Sequence, residues 1–268
     1  MSELSGENSL APAVSRAVRI LTLLAEARGV PQPLMEVARA LGAAKSSTSN
    51  LCAVLEESRL IQRRDTGYVL GRRTVELGGA YLATFDEVRE FYRICSESLV
   101  LSRELVQIAV LDGTDVLYLA RHEGHAPLRL SAGIGDRFPA SLTAVGNALL
   151  ATLDPDDVAA RYSNPELLPR LTERSTRTLA ALQGKLEATR QRGYSVDEGE
   201  VFPNVIGLAM TIPARHADAQ TLAMGVSMFD LDPATAASDG RREAVLAELR
   251  NAVHQMSNPM SVLTYLDE

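Results

Sequence analysis

Cysteine is nearly absent from this chain: of 268 residues only Cys52 and Cys95 are cysteines. So few thiols, with Cys52 beside Leu51 and Leu55 on a predicted helix, fit a reduced, cytoplasmic protein. Histidine is almost as scarce, with four. The spaced pair His122-x-x-His125 falls in a predicted hairpin turn, and two ligands without a third make a poor zinc site. No metal and no cofactor are expected. No uninterrupted run of about 18 apolar residues occurs, so no membrane span is expected. Residues 1–10 carry Glu3 and Glu7 and lack the basic start and apolar run of a signal peptide; a loose tail is expected there. Neither a Gly-x-Ser-x-Gly nucleophile elbow nor a phosphate-cradling Gly-x-x-x-x-Gly-Lys loop is present.

What the chain does have is apolar content and an uneven charge. Hydrophobic residues make up 46 % of it, and its length allows two domains with real cores. The net charge is −7. Yet residues 11–75 hold ten basic and five acidic side chains, so the acidic excess lies elsewhere. A basic segment joined to an acidic one suggests that only the first meets phosphate.

Within the basic segment, Pro33 to Arg59 reads as helix, tight turn, helix. Leu34, Val37, Ala38 and Leu41 recur at helical spacing. Gly42 follows, where a chain leaving a helix needs a permissive backbone. The second helix begins near Lys45, with Leu51, Val54 and Leu55 expected on its inner face. Its opening turns, Lys45-Ser46-Ser47-Thr48-Ser49-Asn50, are small, polar and rich in hydrogen-bond donors. In a helix-turn-helix these residues face base edges in the major groove. An ordinary helical hairpin also starts with capping Ser and Thr, so the context matters.

That context is a winged helix. Pro12–Arg28 is expected as a first helix with Val14, Ala17, Val18, Leu21, Leu24 and Ala25 on one face. Ser15, Arg16 and Arg19 lie off that stripe, where they contact phosphates or water. After the second motif helix, Leu60–Arg64, Asp65-Thr66-Gly67 and Tyr68–Leu70 read as strand, turn and strand, the glycine supplying positive φ. Arg63 and Arg64 on this hairpin, with Arg72 beyond it, suit the DNA backbone or minor groove. Residues 75–92 are expected as one linking helix with Leu77, Tyr81, Phe85, Val88 and Tyr92 in a stripe. It serves either to pair subunits or to pack on its own chain.

The remainder reads as α+β. Strands are expected at 105–112, 116–121, 128–131, 208–212 and 222–228. Helices are expected at 143–153, 156–161, 177–192 and 241–256. Strands, helices and strands again predict an antiparallel sheet with flanking helices.

Two segments here carry a resemblance. Gly135-x-x-x-Pro139-x-x-x-Thr143-Ala144-x-Gly146-x-Ala148-Leu149-Leu150-Ala151 is one. Arg192-Gly193-Tyr194-Ser195-x-Asp197-Glu198-x-Glu200 is the other. With Ser15-Arg16-Ala17-Val18-x-Ile20-Leu21, Lys45-Ser46-Ser47 and Tyr68-Val69-Leu70-Gly71, in this order over residues 11–258, the chain resembles the IclR family of bacterial transcription regulators. The resemblance implies a winged helix-turn-helix (11–74), a linker and dimerisation helix (75–92) and a GAF/PAS-like effector domain (93–268). It also implies homodimers or homotetramers on double-stranded operator DNA, repressing or activating a catabolic operon. The expected effector is a small organic molecule, often an aromatic or carboxylic acid. Three positions depart from the family pattern. Asn147 stands where lysine is common, Asn50 where arginine is common, and Gly207 where cysteine is frequent. The missing charge at Asn147 disfavours a small anionic effector.

Physical reasoning assembles a candidate pocket. The Gly135 loop leads to Thr143, Ala144, Gly146 and Asn147 at a helix start whose N–H groups can hold an acceptor. Asp197 and Glu200 can accept hydrogen bonds. Gly207, Leu208, Met210, Gly225, Ser227 and Met228 are expected along an apolar wall. Capping by Thr143 and core packing by the methionines are the ordinary alternatives. Two functions compete with this one. A small-molecule enzyme could use the carboxylates of Asp197, Glu198 and Glu200, but with four histidines acid–base machinery is sparse and no enzyme is expected. A ligand-free DNA-binding scaffold is the other, and the apolar, glycine-marked C-terminal domain argues against it.

Overall fold

The computed structural model describes residues 10–124, 132–214, 220–229 and, for the closing helix, 236–257. The chain divides into two compact units at Thr84/Phe85.

The first unit has three helices, α1 (Pro12–Glu26), α2 (Leu34–Leu41) and α3 (Lys45–Glu57). A hairpin of β1 (Ile61–Arg64) and β2 (Gly67–Leu70) follows, and α4 (Arg73–Leu82) closes the unit. Ile20, Leu24, Val37, Leu41, Cys52, Leu55, Ile61 and Tyr68 form its core. The α1 stripe lies narrower than the periodicity suggests: Val14 and Val18 are exposed, and so is Val54 of α3. Thr48, Cys52 and Leu55, at i, i+4 and i+7, form the inner face of α3 instead. Gly42 ends α2 in the left-handed conformation. Gly67 has no positive φ. It is glycine because a Cβ there would sit 2.3 Å from the backbone of Gln32. Gln32 exchanges both backbone hydrogen bonds with Tyr68, adding a bridge to the hairpin.

The single helix expected over 75–92 is two: α4, and α5 (Asp86–Glu97). Phe85 between them is extended. Thr84 donates its hydroxyl to the Tyr81 carbonyl at 2.7 Å, a local bond that competes with helix continuation. Asp86 and Glu87 then suit the positive end of a new helix.

The second unit is built on a six-stranded antiparallel sheet. Its strands are β3 (Leu105–Asp112), β4 (Asp115–Glu123), β5 (Arg137–Pro139), β6 (Ser195–Glu198), β7 (Val205–Ile212) and β8 (Leu222–Phe229), in the order β5-β4-β3-β8-β7-β6. The predicted strand at 128–131 lies outside the described residues. β5 and β6 were not among the expected strands; each is only three or four residues long. One face packs on α6 (Ala144–Leu150), α7 (Pro155–Arg161) and α8 (Leu179–Arg192). The other carries α5 and the long α9 (Ala236–Ser257).

Small residues let α6 lie close to the sheet. Ala109, Ala209 and Ala223 face Val145, Ala148 and Leu149 in one cluster. Gly146 is pressed against the preceding turn, where a Cβ would fall 2.2 Å from the Ala140 carbonyl oxygen. Every residue of α6 is buried. Such a helix is held by its surroundings, not by propensity, since seven residues are too few to be stable alone.

Candidate functional site

The first unit places a polar edge on α3. Lys45, Ser46 and Asn50 are exposed, and Ser47 and Ser49 are half-buried. Thr48 is 0 % exposed and donates its hydroxyl to the Ala44 carbonyl at 3.1 Å, which removes it from the expected reading face. Ala44 caps α3 without a side-chain hydrogen bond. The first N–H groups of this helix are thus left by their own cap to external acceptors. On the hairpin Arg63 and Arg64 are exposed, as is Arg72 beyond it. The Arg63 guanidinium lies 5.8 Å from the Tyr68 ring centre.

Two expected phosphate contacts on α1 have other roles. Ser15 is buried. Arg19 donates to the carbonyls of Ala40 at 2.9 Å and Leu41 at 3.5 Å. Those carbonyls are among the orphan acceptors at the end of α2, where a cation also suits the helix dipole. Arg16 stays half-buried.

In the second unit a cavity of about 40 Å³ lies between α6 and the sheet. Register explains its floor. One row across the sheet brings together Asp197, Gly207, Ser227 and Leu105; the next brings Ser195, Ala209, Gly225 and Gln107. Ser195 donates to the Ala144 carbonyl at 2.6 Å and so pins α6 to β6. Thr143 caps α6 by accepting from the Gly146 N–H at 3.0 Å, and lines the cavity with Ala144. Tyr118, Phe138 and Phe202 form an aromatic wall, the ring centroids 6.0 and 5.9 Å apart.

Of the expected effector contacts, Thr143, Ala144, Asp197, Gly207, Leu208, Gly225 and Ser227 line this cavity. The others do not. Gly135 forms an exposed turn with φ +85°. Gly146 packs on Ala140. Met210 and Met228 fall on the alternate register, that of Ile206 and Met224, which faces away from α6. Asn147 is 0 % exposed, away from the cavity, and neither of its amide atoms finds a partner among the described residues. Glu200 pairs with Lys185 at 2.7 Å and accepts from the Thr176 N–H at 2.9 Å. Lys185 also donates to the Ser141 carbonyl and the Thr176 hydroxyl, at 2.7 and 3.0 Å. Burial pulls the Lys185 ammonium below the ordinary lysine range, and the Glu200 charge opposes that.

Gln107, Tyr118, Phe138 and Phe202 were missed. Gln107 and Tyr118 sit in runs that read as plain core strand, and Phe138 on β5 and Phe202 in the loop after β6 gain meaning only when those distant segments meet. Asp197 is the cavity's carboxylate. Its Oδ1 accepts from the Glu200 N–H at 2.7 Å, and the Gly199 N–H adds a second bond. Desolvation outweighs these and pushes its pKa up to about 7. Burial, and then the Asp197 charge, raise the Tyr118 hydroxyl above the usual tyrosine range.

Two family models match the chain. Residues 13–65 match the IclR helix-turn-helix domain. Residues 80–258 match the bacterial transcriptional regulator IclR C-terminal domain. The chain belongs to the IclR family. As in other IclR proteins, a DNA-binding domain is joined to an effector domain, and the chain is a ligand-responsive DNA-binding transcription regulator. It is 27 % identical to the HTH-type transcriptional repressor AllR of Salmonella typhimurium over 220 residues, 81 % of this chain and 79 % of that protein. It is 30 % identical to the SauR regulator of Cupriavidus necator over 212 residues, 77 % of this chain and 82 % of that one. The crystal structure of an IclR homologue from Microbacterium hydrocarbonoxydans, complexed with 4-hydroxybenzoate, shares the fold. Its TM-score is 0.76 at 23 % identity, covering 91 % of this chain and 97 % of that one. No helix among the described residues is long and apolar enough to cross a membrane.

Proposed function

We propose that this IclR-family chain acts as a homodimer on operator DNA, and that a small organic molecule in the Asp197 cavity controls its grip. The observation that carries the DNA half is the joint exposure of Lys45, Ser46 and Asn50 at the start of α3 with Arg63, Arg64 and Arg72 on and after the hairpin. Short polar side chains at a helix start read base edges, and the arginines supply phosphate contacts. A single winged helix covers too few base pairs for strong specificity, and a two-fold dimer reading two half-sites supplies the rest.

The effector half rests on the cavity's mixture of aromatic wall and few polar groups, which suits a small ligand. Catalysis has little to work with there: among the described lining residues only Asp197 and Tyr118 are ionisable, and both are shifted toward their protonated forms. The ligand acts by binding DNA-competent and DNA-incompetent forms with different affinity. Footprinting of the promoter region next to the protein's own gene, at fixed salt, tests the reading. The expected result is protection of two related half-sites, weakened by Lys45→Ala or Arg64→Ala. Protection that is absent both with and without extracts containing small metabolites would overturn it.

A further inference from the structure

The charge and shape of the cavity constrain its occupant further, on the premise that it is the effector site. We infer that the cavity takes a small hydroxyl-bearing molecule without a negative charge, its hydroxyls donating to Asp197. Four observations converge on this.

Among the described residues no lysine or arginine lines the cavity; the polar lining is Asp197, Gln107, Tyr118, Thr143 and Ser227. A carboxylate ligand brought beside Asp197 would meet a like charge in a low-dielectric site.

The described cations nearby have partners of their own. Lys185 is held by Glu200, the Ser141 carbonyl and Thr176. Arg121, the cross-strand partner of Gln107, gives its terminal nitrogens to Glu123 and the Ala132 carbonyl, while its Nε is buried without a partner among the described residues. Asn147, whose amide is neutral, is buried off the cavity.

The polar lining is weighted toward acceptors. Gln107 donates one Nε2 hydrogen to the Ala132 carbonyl at 3.4 Å, and its amide oxygen is an acceptor. The Asp197 carboxylate adds further acceptor lone pairs, one of its oxygens already holding the Glu200 N–H. Thr143 and Ser227 contribute hydroxyls that can donate or accept. A ligand rich in O–H donors satisfies this set; an acceptor-only carboxylate does not.

The aromatic wall of Tyr118, Phe138 and Phe202 gives the C–H face of such a molecule an apolar surface to lie on. Size points the same way. The cavity's volume of about 40 Å³ is well below the roughly 150 Å³ of an apolar cavity that takes up benzene. A three-carbon skeleton is the natural probe, and an aromatic acid would require the wall to move.

The charged and titratable groups facing Asp197 are Glu200 on its own loop, Lys185 of α8 and Tyr118 of β4. With its pKa near 7, Asp197 is mostly ionised at pH 8.5, where discrimination by charge is greatest.

The test is calorimetric titration and NMR of the full chain at pH 8.5 with three probes of one shape: glycerate, glycerol and serinol, carrying negative, zero and positive charge. Glycerol and serinol should bind at least about tenfold more tightly than glycerate. Asp197→Asn should erase that preference, and Ser227→Ala, a milder change, should weaken the two favoured probes. Lowering the pH to 6 should narrow the gap, because Asp197 then gains its proton. Glycerate binding as well as the others, or no probe binding at all, would overturn the inference. Operator footprinting on the same samples separates the two readings: if glycerate binds and alters protection, the regulator stands and this choice of ligand class falls.

Discussion

Asp197 is held by two backbone N–H groups and yet resists ionisation, because a carboxylate in this cavity loses more hydration than those bonds return. The cost has a direction in pH. In the unfolded chain an aspartate titrates near pH 4; in the fold this one titrates at about 7. Below the lower value both states hold the proton. Between the two the folded state holds it and the unfolded state does not, so stability falls as pH rises through the window. Above pH 7 the whole penalty is present, on the order of 4 kcal/mol. Asp197→Asn keeps an oxygen for the Glu200 N–H and removes the charge. It should therefore stabilise the chain at pH 8 by more than at pH 5, as read by urea unfolding at both. Equal gains at the two values would show that the side chain is hydrated in solution.

At the scale of single elements, α3 and α1 divide the polar residues differently from their sequence spacing. On α3 the helical period turns Thr48 inward with Cys52 and Leu55, and leaves Lys45, Ser46 and Asn50 outside. On α1, Arg19 reaches the open end of α2. The two arginine-or-lysine positions Arg19 and Lys45 should then behave oppositely. Arg19→Ala should lower the unfolding midpoint, by about 1 kcal/mol, while leaving the salt dependence of DNA binding unchanged. Lys45→Ala should leave the midpoint alone and reduce the slope of log affinity against log salt by about one per bound site. Thermal melts and salt-titrated DNA binding on both variants check the pair. A changed salt slope in Arg19→Ala would return that residue to the phosphate contacts.

For the whole molecule, the unusual element is α4, which has no buried residue. Val75 is 75 % and Leu77 55 % exposed. Apolar side chains left open along a whole helix mark an interaction surface. The proposed homodimer gives them a partner, a second copy of this chain. Leu77→Glu should then shift the protein toward monomer in sedimentation, and weaken operator binding in proportion, since each half-site alone binds poorly. A dimer that survives Leu77→Glu unchanged would place the pairing surface elsewhere.

Much of this was legible in the residues alone. Helical periodicity, the Gly42 turn, the basic hairpin and the signature segments around Thr143 and Asp197 determined the family, the order of elements in the winged helix and the α+β class. These signals are local, written within a few residues of one another. The broken linking helix was not legible, because Thr84 and Asp86 act through capping preferences weaker than the apolar stripe they interrupt. Nor was the division of the site. Met210 and Met228 read as wall residues until strand register put them on the opposite face. Glu200 read as a ligand acceptor until Lys185, from a separate helix, claimed it. Gln107, Tyr118, Phe138 and Phe202 meet only because β3, β4, β5 and the loop after β6 converge over one cavity. Sequence determines which residues prefer burial and which turn the chain. Only the tertiary structure decides which buried polar group is already paired and which is left facing an empty space, because pairing depends on contacts between residues far apart in the chain.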